Sequence, residues 1–515
     1  MRSTIKIVIL LFFICTSMSG ASFPDMEKYM RQHALIWEQL PMQWNEGAFL
    51  GNGLVGMMVY ADSTLNALVF HLGRPDVTDH RKAPYRKTSI GTEEADKMVD
   101  FCRLDVGKML LFPEGKILSG TFYLDIYNAE LTGHLKTDKG DLTFHAYTPQ
   151  PEEVNIVEVS SGVPYRWKGI PGNPCSPRIR VFPHLKEKLK YKDNPAPVVD
   201  QKDKEGSWVQ SLLAGGDYAT YWKEVPGGKS RSVLYVSTAN EVPASSLSLA
   251  KAMKTVEATQ ITGTKLLKQK TRQWWNAYHE RSFLSIPDKK LENFYFIQMY
   301  KLATCSHPDG PAMDVMGTFF KLSPWPSFWW NLNIQLTYMP IGPANRMEQG
   351  KNFQRLMDEV FPSLVRSIEP CKIGDYTWAL QNYYMYLRYA GADWQDIKQQ
   401  VVPKALDAFA VFDKILCYKE NTWHLTHIES PEYEGFQKYN DSNYGLASLS
   451  WLLQTLIACH DRTSSTHPDY ARWKEILTRL APYPTNENGL MIAANKPLEK
   501  SHRHYSHLLA FYPFR

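Results

Sequence analysis

Long hydrophobic runs are scarce in this chain of 515 residues. One apolar stretch, Ile7 to Cys15, follows Arg2 and Lys6, and no later run approaches the roughly 20 residues that a bilayer-spanning helix requires. The first run is itself too short to span, and the small residues Ser19, Gly20 and Ala21 come after it, so residues 1–21 read as a signal peptide cleaved after Ala21. Phe13 and Ile14 are bulky where a lipoprotein site needs small residues ahead of Cys15. A secreted or periplasmic protein without a membrane span is expected.

Clustered charge is also lacking. The formal charge is +5, and cleavage removes Arg2 and Lys6 with no acidic residue, leaving +3. That is nearly neutral for this length, and no stretch carries the basic footprint of a nucleic-acid binder. Cysteine is sparse: beyond Cys15 there are Cys102, Cys175, Cys305, Cys371, Cys417 and Cys459, at separations far from zinc or iron–sulfur spacings. Neither metal nor cofactor is expected. An oxidising compartment permits pairing, but a chain with a large core needs no staples, and buried free thiols are the expectation. No fixed-period repeat is evident.

Aromatic residues are plentiful, with 15 Trp and 28 Tyr. They stack on sugar rings, but they also fill large cores, so alone they decide little. From about residue 30 to 245 the chain runs in short strand-like stretches, such as Leu65–Phe70, Thr121–Tyr127, Leu142–Tyr147 and Val233–Ser237, punctuated by Gly, Pro, Asn and Asp. This pattern indicates an antiparallel β-sandwich over 22–245, with a hairpin turn at Thr137–Asp141. A helical linker, read as one stretch from Ser246 to Arg281, occupies 246–284. Beyond it, Leu291–Ala303, Tyr376–Tyr389, Pro403–Cys417, Asn443–Cys459 and Tyr470–Leu480 carry apolar residues at three- and four-residue spacing, so 285–515 reads as a layered helical array.

Three polar clusters lie at the edges of helical pattern. In Phe328-Trp-Trp-Asn-Leu-Asn-Ile-Gln335, Asn331 and Asn333 are two apart, which on an extended segment places both amides on one side, able to hold a water and a sugar hydroxyl. The same residues equally suit a loop whose Asn side chains cap turns. Thr426-His-Ile-Glu-Ser-Pro-Glu-Tyr-Glu434 offers three carboxylates. Cleavage of a glycoside needs a carboxylic acid whose pKa is raised; Glu432, stiffened by the preceding proline, is the first candidate and Glu429 the reserve, while an acidic surface loop is the plain alternative. Ser501-His-Arg-His-Tyr-Ser-His507 suits a metal site or a polar sugar-binding surface, and it lacks the adjacent acidic residue of a zincin-type motif.

Together these segments resemble glycoside hydrolase family 95, the inverting α-L-fucosidases and L-galactosidases of the six-hairpin glycosidase superfamily. Trp44 to Tyr60, with its Gly51-Asn-Gly53 turn, looks like the opening of that family's sandwich. Trp330 to Tyr338 looks like its paired-Asn segment, Ser430-Pro-Glu432 like its general-acid loop, and His502 to Leu508 like its histidine motif. The resemblance implies a β-sandwich followed by an (α/α)6 barrel. It makes Glu432 the general acid and Asn331 and Asn333 the amides that position water. Trp329, Trp330, His427, Glu429, His502, Arg503, His504 and His507 would bind the sugar. The chain departs from the family in Trp329, where His is usual, in Thr337, where Asn is usual, and in Gly73–Arg81, which has no counterpart.

Twelve helices make such a barrel, and roughly 230 residues follow the linker, so an incomplete barrel is expected, without the stretch where the family's catalytic Asp lies. The expected function is an exported, inverting exo-glycosidase acting on oligo- or polysaccharides. A non-catalytic glycan-binding or inactive truncated homologue is the alternative. A polysaccharide lyase fits less well, because lyases that combine these domains place the barrel first.

Overall fold

The computed structural model describes residues 25–79, 102–241, 247–435 and 437–514. The signal peptide expected at residues 1–21 lies outside the described residues. Two antiparallel sheets come first. One has nine strands in the spatial order β1 (Leu35–Trp37), β6 (Ile117–Asp125), β7 (Glu130–Thr137), β8 (Asp141–Tyr147), β9 (Val154–Ser161), β14 (Arg231–Glu241), β13 (Asp217–Gly228), β12 (Glu205–Ser211) and β11 (Val198–Gln201). The other has five: β10 (Tyr165–Ile170), β5 (Lys108–Pro113), β4 (Ala67–Gly73), β3 (Gly56–Asp62) and β2 (Ala48–Gly51). Alternate residues of β6 and β7 are buried, the pattern of a sheet with one face on a core. That core is shared by both sheets: Phe70 of β4 meets Phe144 of β8 edge to face at 5.5 Å, and Trp208 of β12 donates to the Val106 carbonyl at 2.9 Å. Thr137–Asp141 forms the turn between β7 and β8, closed by Thr137 N–H to the Gly140 carbonyl at 2.9 Å.

The expected single linker helix is two: α1 (Ser248–Thr262) and α2 (Thr264–His279), broken at Gly263, whose φ of 81° interrupts the helical backbone. Neither spans open space. Ala252 and Val256 of α1 and Leu267 of α2 pack on Tyr147, Ile156 and Tyr235, covering the outer face of the larger sheet. Arg272 of α2 clamps Glu130 with both Nε and Nη2, at 2.5 and 2.7 Å.

The helical array follows as α3 (Lys289–Cys305), α4 (Asn333–Tyr338), α5 (Lys351–Glu359), α6 (Phe361–Val365), α7 (Ile373–Tyr389), α8 (Trp394–Gln400), α9 (Val402–Phe412), α10 (Asn443–Thr463) and α11 (Tyr470–Thr478). Long α7 and α10 are buried over most of their surface and pack on each other, with α4, α5, α8, α9 and α11 around them. Such all-round burial matches helices apolar on broad faces. The helix expected to reach Cys417 stops at Phe412. Leu416–Lys419 (β15) and Thr422–Leu425 (β16) pair instead across Glu420 and Asn421, both at positive φ, the two-residue turn that suits a twisted hairpin. Among the described residues no helix is long and apolar enough to cross a membrane. None of the six cysteines among the described residues forms a disulfide; Cys102, Cys371 and Cys459 are buried, whereas Cys417 is exposed.

The sandwich meets α3 through its Gly-Asn-Gly turn. Gly53 N–H donates to the Thr304 carbonyl at 3.0 Å, and Asn52 anchors the turn to the Pro149 and Glu152 carbonyls, each at 2.8 Å. Buried Arg103 reaches Asp314 at 3.1 Å and the Gly317 carbonyl at 2.6 Å. In the segment Gly73–Arg81, Arg74 is buried and pairs with Asp76, Glu153 and the Thr238 carbonyl; residues 80 and 81 lie outside the described residues. A side chain on Gly53 would overlap the backbone of Ser306 and His307 and oppose φ of 83°. Gly53→Ala is expected to lower stability by roughly 1–3 kcal/mol, read as a drop in thermal midpoint. An unchanged midpoint would mean that the turn does not seat on α3.

Candidate functional site

A cleft of about 1530 Å³ opens where the sandwich meets the helices. Trp44, Phe49 and Met58 line it from the sandwich, residues of α3 line its side, and Trp329, Asn331, Asn333, Glu432, Arg503 and His504 converge on it from segments far apart in sequence. Loops at one end of a rigid scaffold are where such distant groups meet.

Asn331 and Asn333 do not lie on an extended segment as expected. Leu332 between them sits at φ 62°, ψ −45°, and Asn333 N–H donates to the Asn331 carbonyl at 2.6 Å. This γ-turn is a strained conformation for leucine. It hands the chain directly into α4, which starts at Asn333. Gln335, fully buried, donates from Nε2 to the Trp330 carbonyl and to the Asp375 carbonyl, the latter at 2.8 Å, tying the turn to α7. Trp329 Nε1 and Asn331 Oδ1 have no protein partner.

Glu432 sits in the loop between β17 (Ile428–Glu429) and β18 (Lys438–Tyr439), itself at φ 52°. Its carboxylate is clasped by Arg503 and by His504 Nε2 at 2.9 Å, and Arg503 Nε lies 2.9 Å from that same nitrogen. Beneath them, the His502 ring hydrogen-bonds the Glu432 carbonyl at 3.0 Å, and Ser430 Oγ meets Ser506 Oγ at 2.6 Å, joining the two loops. The clasp does not raise the pKa as a general acid requires. The His504 hydrogen bond, with Arg503 adding to it, outweighs partial burial and holds Glu432 down to about 2. The second carboxylate of the cleft, Asp314, is displaced the other way by burial, against the opposing pull of Arg103.

Several expected sugar-binding residues are not at the cleft. Trp330 is 0% exposed and stacks on Tyr376 at 5.3 Å in the helical core. It belongs to the helical core, whereas its neighbour Trp329 lines the cleft. His427 is exposed at a bend with φ 55° and does not line the cleft. Glu429 is buried beside Cys371, its pKa raised by burial against nearby Lys372. His502 backs His504 with rings 5.0 Å apart, and His507 is buried behind the wall, its pKa lowered by burial.

Asp375 was not legible in the sequence. At the start of α7 it accepts from Tyr444 OH at 2.8 Å, and burial, helped by the charges of Glu429 and Glu432 and opposed by the Tyr444 hydrogen bond, lifts it to about 8. Nothing local marks it, since its burial comes from α10 packing over α7. A folded pKa above the unfolded value of 3.8 makes the chain lose stability as pH rises from about 4 to about 8. In Asp375→Asn, which keeps an acceptor for Tyr444, urea midpoints at pH 5 and pH 8 are expected to lie closer together than in the parent. An unchanged difference would show that Asp375 is ionised in the fold.

This sheet-plus-helix arrangement is found in a solved structure. A protein described as a kojibiose phosphorylase from the human microbiome aligns over 85% of this chain at a TM-score of 0.56 and 9% identity. The two share a fold. The chain covers 66% of that protein's length, just under two thirds. A bacterial glucoamylase solved with acarbose aligns over 87% of this chain and 69% of its own, at TM-score 0.45 and 9% identity. A family 92 α-mannosidase from Bacteroides thetaiotaomicron aligns over 84% and 61%, at TM-score 0.33 and 8% identity. The last two are too distant to carry an argument. At 9% identity the likeness to the phosphorylase speaks to fold alone. No family model matches the chain, and no curated protein matches it in sequence.

Proposed function

We propose that the chain is an exported exo-glycosidase that inverts configuration at a terminal sugar of the L-fucose or L-galactose type. On this reading it is a relative of glycoside hydrolase family 95, needs no cofactor, and its helices over 285–515 form part of an (α/α)6-type barrel that follows the sandwich of 22–245 and the linker of 246–284. One observation supports it above all: the paired Asn turn, the Glu432 loop and the Arg503–His504 pair share a cleft with three tryptophans, Trp44, Trp325 and Trp329.

Glu432 is then the proton donor to the leaving oxygen. As the cleft stands it is ionised, so the substrate must take the place of Arg503 on the carboxylate and shield it from water, which raises its pKa. Asn331 and Asn333, as neutral amides, orient the attacking water without accepting its proton, which passes to solvent water as the new C–O bond forms. His504 and Arg503 hold sugar hydroxyls alongside Trp329. The clasp itself favours a second reading: a carboxylate held ionised by two partners suits a protein that binds glycans without cleaving them.

The experiment is to incubate the purified chain with terminal α-L-fucosides, L-galactosides and arabinosides, follow the anomer released by NMR, and measure binding of the free sugars by calorimetry. Release of the inverted anomer supports the first reading. Binding without release supports the second. Neither binding nor release for any sugar overturns both.

A further inference from the structure

We propose that the part of the cleft where Lys301 of α3 and Lys321 beyond it face Phe49 and Trp44 of the sandwich is a subsite for an anionic sugar, so that the glycan bound here carries a carboxylate or a sulfate ester near its end. This deepens the glycan reading of the cleft and rests on it. The volume of about 1530 Å³ exceeds the roughly 300–1,000 Å³ of ordinary small-molecule pockets, leaving room for more than one sugar ring.

The charged groups that line the cleft are Lys301, Asp314, Lys321, Glu432 and Arg503, with His504 beside them. Their pairing is uneven. Asp314 is neutralised by Arg103 from the sandwich, and Glu432 by Arg503 and His504. Lys301 and Lys321 form no ion pair among the described residues. Each instead stands over an aromatic ring of the Trp44–Phe49 segment: Lys321 is 5.3 Å from the Trp44 ring and Lys301 5.7 Å from the Phe49 ring. Contacts of this kind at exposed sites are weak, about 0.5–1 kcal/mol, and leave the ammonium donors open to another partner.

The cleft therefore presents two cations without counter-ions on one wall, next to aromatic faces on which a sugar ring can stack. A neutral glycan would leave both charges unused. One with an acidic group meets them with charge-assisted hydrogen bonds.

The test uses three length-matched probes: tetragalacturonate, its carboxyl-reduced neutral counterpart, and a sulfated galactotetraose. Calorimetry on the full chain should show tighter binding of the acidic probes than of the neutral one, an advantage that shrinks between 50 and 300 mM salt. Lys301→Gln/Lys321→Gln should lose roughly tenfold in affinity for the acidic probes and keep its affinity for the neutral one, while Lys301→Arg/Lys321→Arg restores the advantage. The carboxylate and sulfate probes distinguish which anion is preferred. Equal binding of acidic and neutral probes, unaffected by either double variant, overturns the anionic subsite and leaves the glycan reading standing. No binding of any probe, while a terminal L-fucoside or L-galactoside still binds, also overturns the anionic subsite alone; no binding of either set overturns both.

Discussion

Glu432→Gln is expected to lower turnover of an unactivated terminal glycoside by roughly 10²–10⁴-fold, the usual contribution of a positioned general acid. Glutamine keeps the shape and an acceptor for His504, so the loops stay joined through Ser430 and Ser506 while the transferable proton is gone. The loss should be much smaller for an aryl glycoside, whose leaving group departs without protonation. Initial rates on both substrates decide the matter; equal losses on the two would assign Glu432 a binding role.

The same variant has a signature in stability. A carboxylate held at about 2, below its ordinary 4.5, stabilises the fold above that ordinary value and ceases to do so as pH falls toward 2. The parent should therefore outlast Glu432→Gln in thermal melts at pH 6, and the two should converge near pH 2. The Glu432 side chain is about one third exposed, so the difference will be modest.

Trp330→Ala is expected to cost roughly 3–5 kcal/mol, the range for emptying the site of a large buried aromatic side chain. The indole has no solvent exposure and lies between Phe328, edge-on at 5.4 Å, and Tyr376, stacked at 5.3 Å, so its removal opens a void that α7 can fill only by moving. Trp329→Ala removes a ring that faces the cleft, and it should weaken sugar binding with a smaller shift in urea midpoint. Measured side by side, the two variants separate core from site. A larger stability loss for Trp329→Ala would reverse their assignment.

Those adjacent tryptophans show how far local reading goes. In sequence they are equivalent aromatics beside a paired-Asn motif. Which one faces the cleft is decided by packing: Trp330 stacks on Tyr376 of α7, a contact that nothing beside it in sequence signals. The Glu432 and histidine segments stood out locally, and so did the Gly-Asn-Gly turn that reaches α3, because each concentrates polar or turn-forming residues against an apolar background. Lys301, Lys321 and Asp375 had no such contrast. Each is an ordinary residue on a helix or loop until the fold sets it beside the cleft or beneath it.

The sequence by itself determined the kinds of element and their order. Strand alternation in β6 and β7, helical spacing in α3, α7 and α10, and the hairpin at Thr137–Asp141 are written within a few residues, where period and turn chemistry act. Tertiary structure alone decided the inward turn of Trp330 and the charge states of the carboxylates. Glu432 has partners 71 residues away in Arg503, and Asp375 has Tyr444 69 residues away. A pKa depends on burial and on charges brought near by folding, and neither is encoded in spacing along the chain.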